Sequence, residues 1–336
     1  MTHDPATDAE ARSTEADPAD ALFVPIATGG ARPDPRVLPS APVTRFAPAP
    51  TGFLHLGHLV NALYTWGIAR ATGGRVILRI EDHDRQRCRP EYESALLEDM
   101  DSLGLVPDEP GIDDFRAGAT PYRQSSTPAI YPAALERLRA DGLVYACACS
   151  RATFAAFEAE RGRPWSGIGC PGGCRSLSLR EEGGPGAGLR VAVGAGSERW
   201  VDLLAGPLGE EPAAGGDLLV RDRIGNWTYA FCVVVDDVRN GVDLVIRGRD
   251  LLHSTPVQLR LARLLGRETA PQFLHHPLIR RVSGQKLSKA DGDTAVRTLL
   301  DAGATPGQLF GRAARLAGLQ GDESPIEPED LASLFR

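Results

Sequence analysis

No apolar stretch in these 336 residues approaches the roughly 20 that cross a bilayer. The chain also lacks a positively charged start leading into an apolar run, so no secretory leader is expected. A cytoplasmic protein with no membrane contact is expected. In a reducing compartment disulfides are not expected, which leaves the six cysteines to core, reactive or metal-binding roles. An excess of positive charge is missing as well. With a formal net charge of −7 the composition as a whole does not advertise nucleic-acid binding, although the field in a cleft is set by the charges nearest to it. Large apolar side chains are scarce in residues 1–40, where Ala, Asp, Thr and Pro dominate, and that segment reads as an unordered tail.

What the chain does have, directly after the tail, is FAPAPTGFLHLGH, Phe46 to His58, a composition that suits neither helix nor strand. Its flanks are regular. Residues 42–47 read as a strand, HLVNALYTWGIARATGG as a helix stopped by Gly73 and Gly74, and RVILRI (Arg75 to Ile80) as a buried parallel strand. The Pro/Gly stretch is therefore the turn of a βαβ unit, where a helix offers unpaired N–H groups and the positive end of its dipole to phosphate. Gly52 and Gly57 allow close backbone approach, and His55 and His58 either reach phosphate oxygens or sit solvated. The turn is neither G-x-G-x-x-G nor a P-loop.

A second pattern follows late in the chain. WTYAFCVVVDD (Trp227 to Asp237) and VDLVIRG are strand-like, and STPVQLRLARLLG is a helix with Ser254 or Thr255 as cap and Gly266 at its end. Both halves, 41–121 and 226–300, are assigned to one doubly wound α/β sheet. Between them, 122–225 changes character, with a helix over 128–140, the Gly-rich EEGGPGAG, and four cysteines. Cys147, Cys149, Cys170 and Cys174 form C-x-C followed by C-x₃-C, a set of four thiolates suited to one structural, tetrahedral Zn²⁺ per chain. This region reads as a smaller inserted zinc domain. Cys88 lies between two arginines and reads as a surface thiol, Cys232 as a core residue in a strand. Residues 301–336 read as helices that complete the core.

The loop SGQKLSKADGD carries Lys286 and Lys289, which can order around a polyphosphate and neutralise a leaving pyrophosphate. H-L-G-H after the first strand and K-L-S-K after the last form the twin signature of class I aminoacyl-tRNA synthetases. The chain resembles their glutamate branch through RFAPAPTGFLHLGH, LRIEDHDRQR, PYRQS, LVYACACS, VVVDDVRNGVDLVIRGRDLLHSTPVQL and HHPLI…GQKLSK, from about Thr44 to Lys289. Within that branch it is most similar to the short glutamyl-Q tRNA(Asp) synthetases. Only 47 residues follow Lys289, too few for an anticodon-binding domain of the usual size.

The resemblance implies a Rossmann-like core, ATP- and Mg²⁺-dependent activation of L-glutamate, and transfer of the glutamyl group to queuosine in the anticodon loop of tRNA(Asp), by a monomer. It implies Arg45 and Arg247 for the two carboxylates, Glu81 for the ammonium, and Tyr229 against the substrate. His55, Gly57, His58 and Lys289 are placed at ATP, with His55, His58, Lys286 and Lys289 as the catalytic groups. By the same resemblance Asp236 and Asp237 sit at a structural turn, Ala49 replaces the family serine, and Cys170 stands where a zinc-binding tyrosine is usual. On the residues alone the arginines and Glu81 could be structural ion pairs and Tyr229 core. Two other functions stay open: a truncated synthetase charging the tRNA 3′ end, and a degenerate core that only holds tRNA.

Overall fold

Residues 23–24, 31–162, 169–170, 173–176, 186–281 and 295–336 are the described part of the computed structural model. β1 (Phe23–Val24) precedes a stretch, 31–40, that composition assigns to the tail. Here it carries a 3-10 turn at Pro35–Val37 capped by Asp34. It also packs on the core: Ala31 is buried and its carbonyl accepts a 2.6 Å hydrogen bond from the Tyr64 hydroxyl. The apolar surface that holds this stretch is supplied by the helix beneath it, which composition of the stretch itself does not reveal.

β2 (Val43–Phe46) runs through the Pro/Gly turn into α1 (Leu56–Thr72), and β3 (Arg75–Leu78) returns parallel to β2 with Arg45 opposite Ile77. α1 ends at Gly73, whose φ of 73° a side chain would strain. α2 (Pro90–Ser102), with proline in its first turn, and the short α3 (Ile112–Ala117) follow, then α4 (Ile130–Ala140), close to the helix expected over 128–140.

In the inserted region β4 (Val144–Cys147) leads to α5 (Arg151–Arg161), which opens on a Ser150 cap. β4 pairs antiparallel with β5 (Gly188–Val191). The hairpin β6 (Glu198–Asp202) and β7 (Gly206–Glu210) does not join that sheet. β8 (Leu218–Arg221) does, completing the order β4-β5-β8.

The segment Trp227–Asp237, expected as a strand, is instead α6 (Tyr229–Arg239). Its residues 231–237 are all buried, so the apolar run shows no period, and a short run buried on every side cannot be told from a parallel strand by pattern. Cys232 is accordingly a core residue of a helix, and Asp236 and Asp237 belong to that helix, not to a turn.

β9 (Leu244–Gly248), α7 (Thr255–Leu264) and β10 (Gln272–His276) form the second parallel unit, with Arg247 opposite His275. β11 (Arg280–Arg281) pairs with β1. α8 (Val296–Asp301), α9 (Pro306–Leu316) and a 3-10 segment, Pro328–Phe335, close the fold, the last two packing on α1.

The two halves meet at β2 and β9: the Asp243 N–H donates to the Val43 carbonyl at 3.0 Å, and the Val43 N–H to the Asp243 carboxylate at 2.8 Å. Beyond β9 the order is β9-β10-β6-β7. Alternation along the strands sends Leu244, Ile246 and Leu274 to the core around α1, and Val245 and Phe273 to Leu259 of α7 on the other face. The result is the doubly wound parallel sheet expected. One part differs: the hairpin β6–β7, from within the inserted region, is built into the catalytic sheet. Among the described residues no helix is long and apolar enough to cross a membrane.

Candidate active site

A cleft of about 670 Å³ opens over the carboxyl ends of β2, β9 and β10, where sheets of this kind bind ligands. Arg45, Glu81, Tyr229 and Arg247 line it, as do His55, Gly57 and His58. Lys286 and Lys289 lie outside the described residues. A second hollow of about 660 Å³, beyond the loop 82–89, is lined by Arg85, Arg89, Arg116 and Arg123 and by none of the expected site residues.

The turn before α1 is organised by its imidazoles. His55 takes extended backbone, its Nδ1 accepts from the Gly57 N–H at 3.1 Å, and the His58 Nδ1 accepts from the His55 N–H at 3.1 Å. The arrangement is a capping box made of two rings. Because each Nδ1 accepts, each ring carries its proton on Nε2, the atom able to donate to an anion. Gly57 is required for this: a Cβ there would stand 2.9 Å from His55 Cε1.

At the base of the cleft a buried charge network is assembled from β2, the segment that follows β3, and α6. Asp237 Oδ1 is 3.1 Å from Arg45 Nε and 2.7 Å from Arg79 Nη1, and Arg79 Nη2 is 2.9 Å from Glu81 Oε1. Arg79 is fully buried. Burial works against its charge, but Asp237 and Glu81 outweigh that and hold the guanidinium above its usual range. Burial likewise pushes the Asp237 carboxyl up, and Arg45 and Arg79 together bring it below the usual carboxylate range. Asp236 faces the other way, accepting from Gln124 at 2.8 Å and from the Tyr131 hydroxyl at 2.9 Å.

Arg247 is a different case. Its hydrogen bonds go to His275 Nε2 at 3.0 Å, Gln258 Oε1 at 2.5 Å, Thr255 Oγ1 at 2.8 Å and the Leu251 carbonyl at 3.4 Å. Among the described residues no carboxylate lies within ion-pair distance of it. Burial pushes its pKa down from the ordinary guanidinium value, the Tyr229 hydroxyl opposing. A buried cation with only neutral contacts is a seat for an anion.

Sequence reasoning missed Arg79 and passed over Asp237. The first left a signal: in a strand i and i+2 share a face, so Arg79 beside Glu81 was available from LRIE. Asp237 left none, since its partners lie on strands far away in sequence.

The cysteine cluster lies apart from the cleft. Cys147 ends β4, Cys149 follows it, and Cys174 sits in the 3-10 turn Gly173–Ser176. The four sulfur atoms of Cys147, Cys149, Cys170 and Cys174 lie within 4.8 Å of one another. Cys149 Sγ is 3.6 Å from Cys170 Sγ and 3.4 Å from Cys174 Sγ, close to the roughly 3.8 Å edge of a tetrahedron with 2.3 Å Zn–S bonds. The donor set therefore fits zinc and leaves no open position. Asp217 braces the segment, its N–H donating to the Cys170 carbonyl at 2.9 Å and its carboxylate accepting from Arg175 and Tyr145.

Residues 42–330 match the family described as tRNA synthetases class I (E and Q), catalytic domain. The chain is 42% identical over 297 residues to the glutamyl-Q tRNA(Asp) synthetase of Symbiobacterium thermophilum, covering 87% of this chain and 91% of that protein. It is 37% identical over 298 residues to the glutamate–tRNA ligase of Paracidovorax citrulli, covering 87% of this chain but 60% of that protein. A solved glutamate tRNA ligase from Elizabethkingia meningosepticum, in complex with its amino acid, shares the fold at a TM-score of 0.69 and 28% identity over 87% of this chain and 64% of that chain.

Proposed function

The chain belongs to the class I tRNA synthetases for glutamate and glutamine, and from that premise we propose that it activates glutamate with ATP and passes the glutamyl group to queuosine in tRNA(Asp). The observation that carries the first half is Arg247, a buried guanidinium lining the cleft whose hydrogen bonds all go to uncharged groups, with Arg45 and Glu81 lining the same cleft. Glutamate, with two carboxylates and one ammonium, has the complementary set of groups. Arg247 takes one carboxylate, Arg45 the other, and Glu81 receives the ammonium, with Tyr229 closing the side. Ala49 offers no hydroxyl where the family has serine, so the arginines carry correspondingly more of the binding.

Activation is attack by a glutamate carboxylate oxygen on the α-phosphorus of ATP with departure of pyrophosphate. No protein nucleophile is needed. Positioning and neutralisation of developing charge do the work. The Nε2–H groups of His55 and His58 and the N-terminus of α1 face the phosphates, Gly57 allows them close, and Lys286 and Lys289 cover the departing pyrophosphate. Mg²⁺ arrives with ATP and offsets phosphate charge. Zinc on the four cysteines is structural, one per chain.

Support for queuosine as acceptor is the near end-to-end match to a relative that bears that activity in its name, at higher identity than the glutamate–tRNA ligase, of which the chain spans 60%. The same reading has the protein acting as a monomer in the cytoplasm. The test offers ATP, Mg²⁺ and labelled glutamate with tRNA(Asp) carrying either queuosine or guanosine at the wobble position. Label in the queuosine form alone is expected. Equal labelling of both, or labelling of tRNA(Glu) at its 3′ end, overturns the acceptor; no labelling and no glutamate-dependent pyrophosphate exchange overturns the activity.

A further inference from the structure

Two strands bring one residue each to the back of Arg247, His275 from β10 and Asp202 from β6. In the register of β9 and β10 Arg247 is opposite His275, and β10 meets β6 with Phe273 opposite Asp202. His275 Nδ1 is 2.6 Å from Asp202 Oδ2, and His275 Nε2 is 3.0 Å from Arg247 Nε. An arginine Nε–H can only donate, so His275 Nε2 must accept, and the ring proton belongs on Nδ1, where Asp202 accepts it. The opposite tautomer would aim two N–H bonds at each other. Asp202 is itself fixed, its Oδ1 accepting from the Leu204 and Ala205 N–H groups at 3.0 and 2.9 Å, its Oδ2 also from the His275 N–H at 3.1 Å. All three side chains are buried. Burial, and after it the nearby Arg247, lower the His275 pKa against the opposing pull of Asp202, in keeping with a neutral ring.

A carboxylate in direct contact, as Asp237 is with Arg45, would anchor Arg247 as firmly but would offset part of the charge presented to a substrate carboxylate. An imidazole held neutral anchors Nε and keeps the counter-charge of Asp202 one ring away. From this juxtaposition we propose that His275 and Asp202 are positioning residues of the glutamate site, setting the rotation of the Arg247 guanidinium through a directed Asp202–His275–Arg247 chain of hydrogen bonds. The proposal rests on reading the cleft as the glutamate site. It also gives the hairpin β6–β7 a part in substrate binding, because Asp202 closes that chain from the inserted region.

The experiment has two arms on the full-length protein. In ¹⁵N-histidine spectra of the wild type, with His275→Gln to assign the signal, His275 is expected to be neutral with its proton on Nδ1. An Nε2–H ring or an imidazolium at neutral pH overturns the proposal. In ATP–pyrophosphate exchange, His275→Leu is expected to raise the glutamate KM about tenfold or more while the ATP KM stays within about twofold, the loss of one hydrogen bond to a charged group. His275→Gln, whose amide oxygen can accept from Arg247, should recover most of that loss, which general damage to the fold would not allow. An unchanged glutamate KM in His275→Leu, equal rises for both substrates, or no recovery with glutamine overturns it. If the wild type shows no exchange with glutamate, the reading of the cleft fails, and the tautomer spectrum alone then decides whether the hydrogen-bond chain exists.

Discussion

Asp237 sits 3.1 Å from the Nε of Arg45, a residue 192 positions earlier in the chain, and the same carboxylate oxygen reaches Arg79 at 2.7 Å. One anion thus joins helix α6 to strand β2 and to the segment just after β3, and offsets two buried cations. Removing it by Asp237→Ala leaves both guanidiniums without their counter-charge. We expect a loss of about 3–5 kcal/mol in urea unfolding, the range for a broken buried pair. The sign with pH follows from the lowered carboxyl: the stabilisation is complete above the ordinary carboxylate pKa of about 3.9 and is lost as pH falls through the still lower folded value. A loss under about 1 kcal/mol would mean that the network is dispensable.

On the proposed reading, the groups assigned to ATP should separate from those assigned to glutamate in kinetics. If His58 and Lys289 neutralise charge that develops in the transition state, Lys289→Ala and His58→Ala are expected to lower kcat for pyrophosphate exchange about 10²- to 10³-fold with little change in glutamate KM. Arg247→Ala is expected to show the reverse emphasis, a large rise in glutamate KM. A common effect of all three on both parameters would contradict the division of the cleft.

What could be read from the sequence was local. H-L-G-H lies on one turn, Val76 to Leu78 is an unbroken apolar run, and the four cysteines fall in two close pairs, so each announces itself within a few residues. Three things depended on distant partners. α6 reads as a strand in sequence because burial on all sides erases the 3.6-residue period. Asp237, which the resemblance puts at a structural turn, takes its role from Arg45 and Arg79, 192 and 158 positions away. The hairpin β6–β7 gave no sign that its neighbour would be β10, some 70 residues further on.

Asp99 offers a test of opposite sign. It is buried on α2, its Oδ2 has no hydrogen-bond partner among the described residues, and its Oδ1 is 3.3 Å from Arg297 Nη2. Burial pushes its carboxyl up to about 6, with Arg297 only partly opposing. The folded chain holds this proton more tightly than the unfolded one. Its contribution favours the fold below about pH 4 and is lost as pH rises through 6. Asp99→Asn is therefore expected to gain about 2–3 kcal/mol over the wild type at pH 7.5 and about a third of that at pH 4.5, measured by urea unfolding at both. A difference that does not change with pH would contradict the raised pKa.

The cysteine cluster predicts close to one zinc per chain by elemental analysis of native protein. Cys149→Ser removes the sulfur nearest to two of the others, and zinc content is expected to fall below about a fifth of an ion, with a lower thermal midpoint because binding and folding are coupled. Wild-type protein purified with far less than one zinc would sink the assignment.

The seating of β6 against β10 bears on how this architecture could be recombined. A chimera that exchanged residues 122–225 as a cassette would carry away the strand next to β10 and, with it, Asp202, leaving His275 without its acceptor. By its pairing the hairpin 198–210 belongs with β9 and β10, while the inner residues of the sheet β4-β5-β8 share a core with α6 and α7, so neither can be exchanged without its partners in the catalytic half. Sequence drift in that hairpin should accordingly follow the catalytic sheet and not the cysteine-bearing sheet that encloses it in the chain.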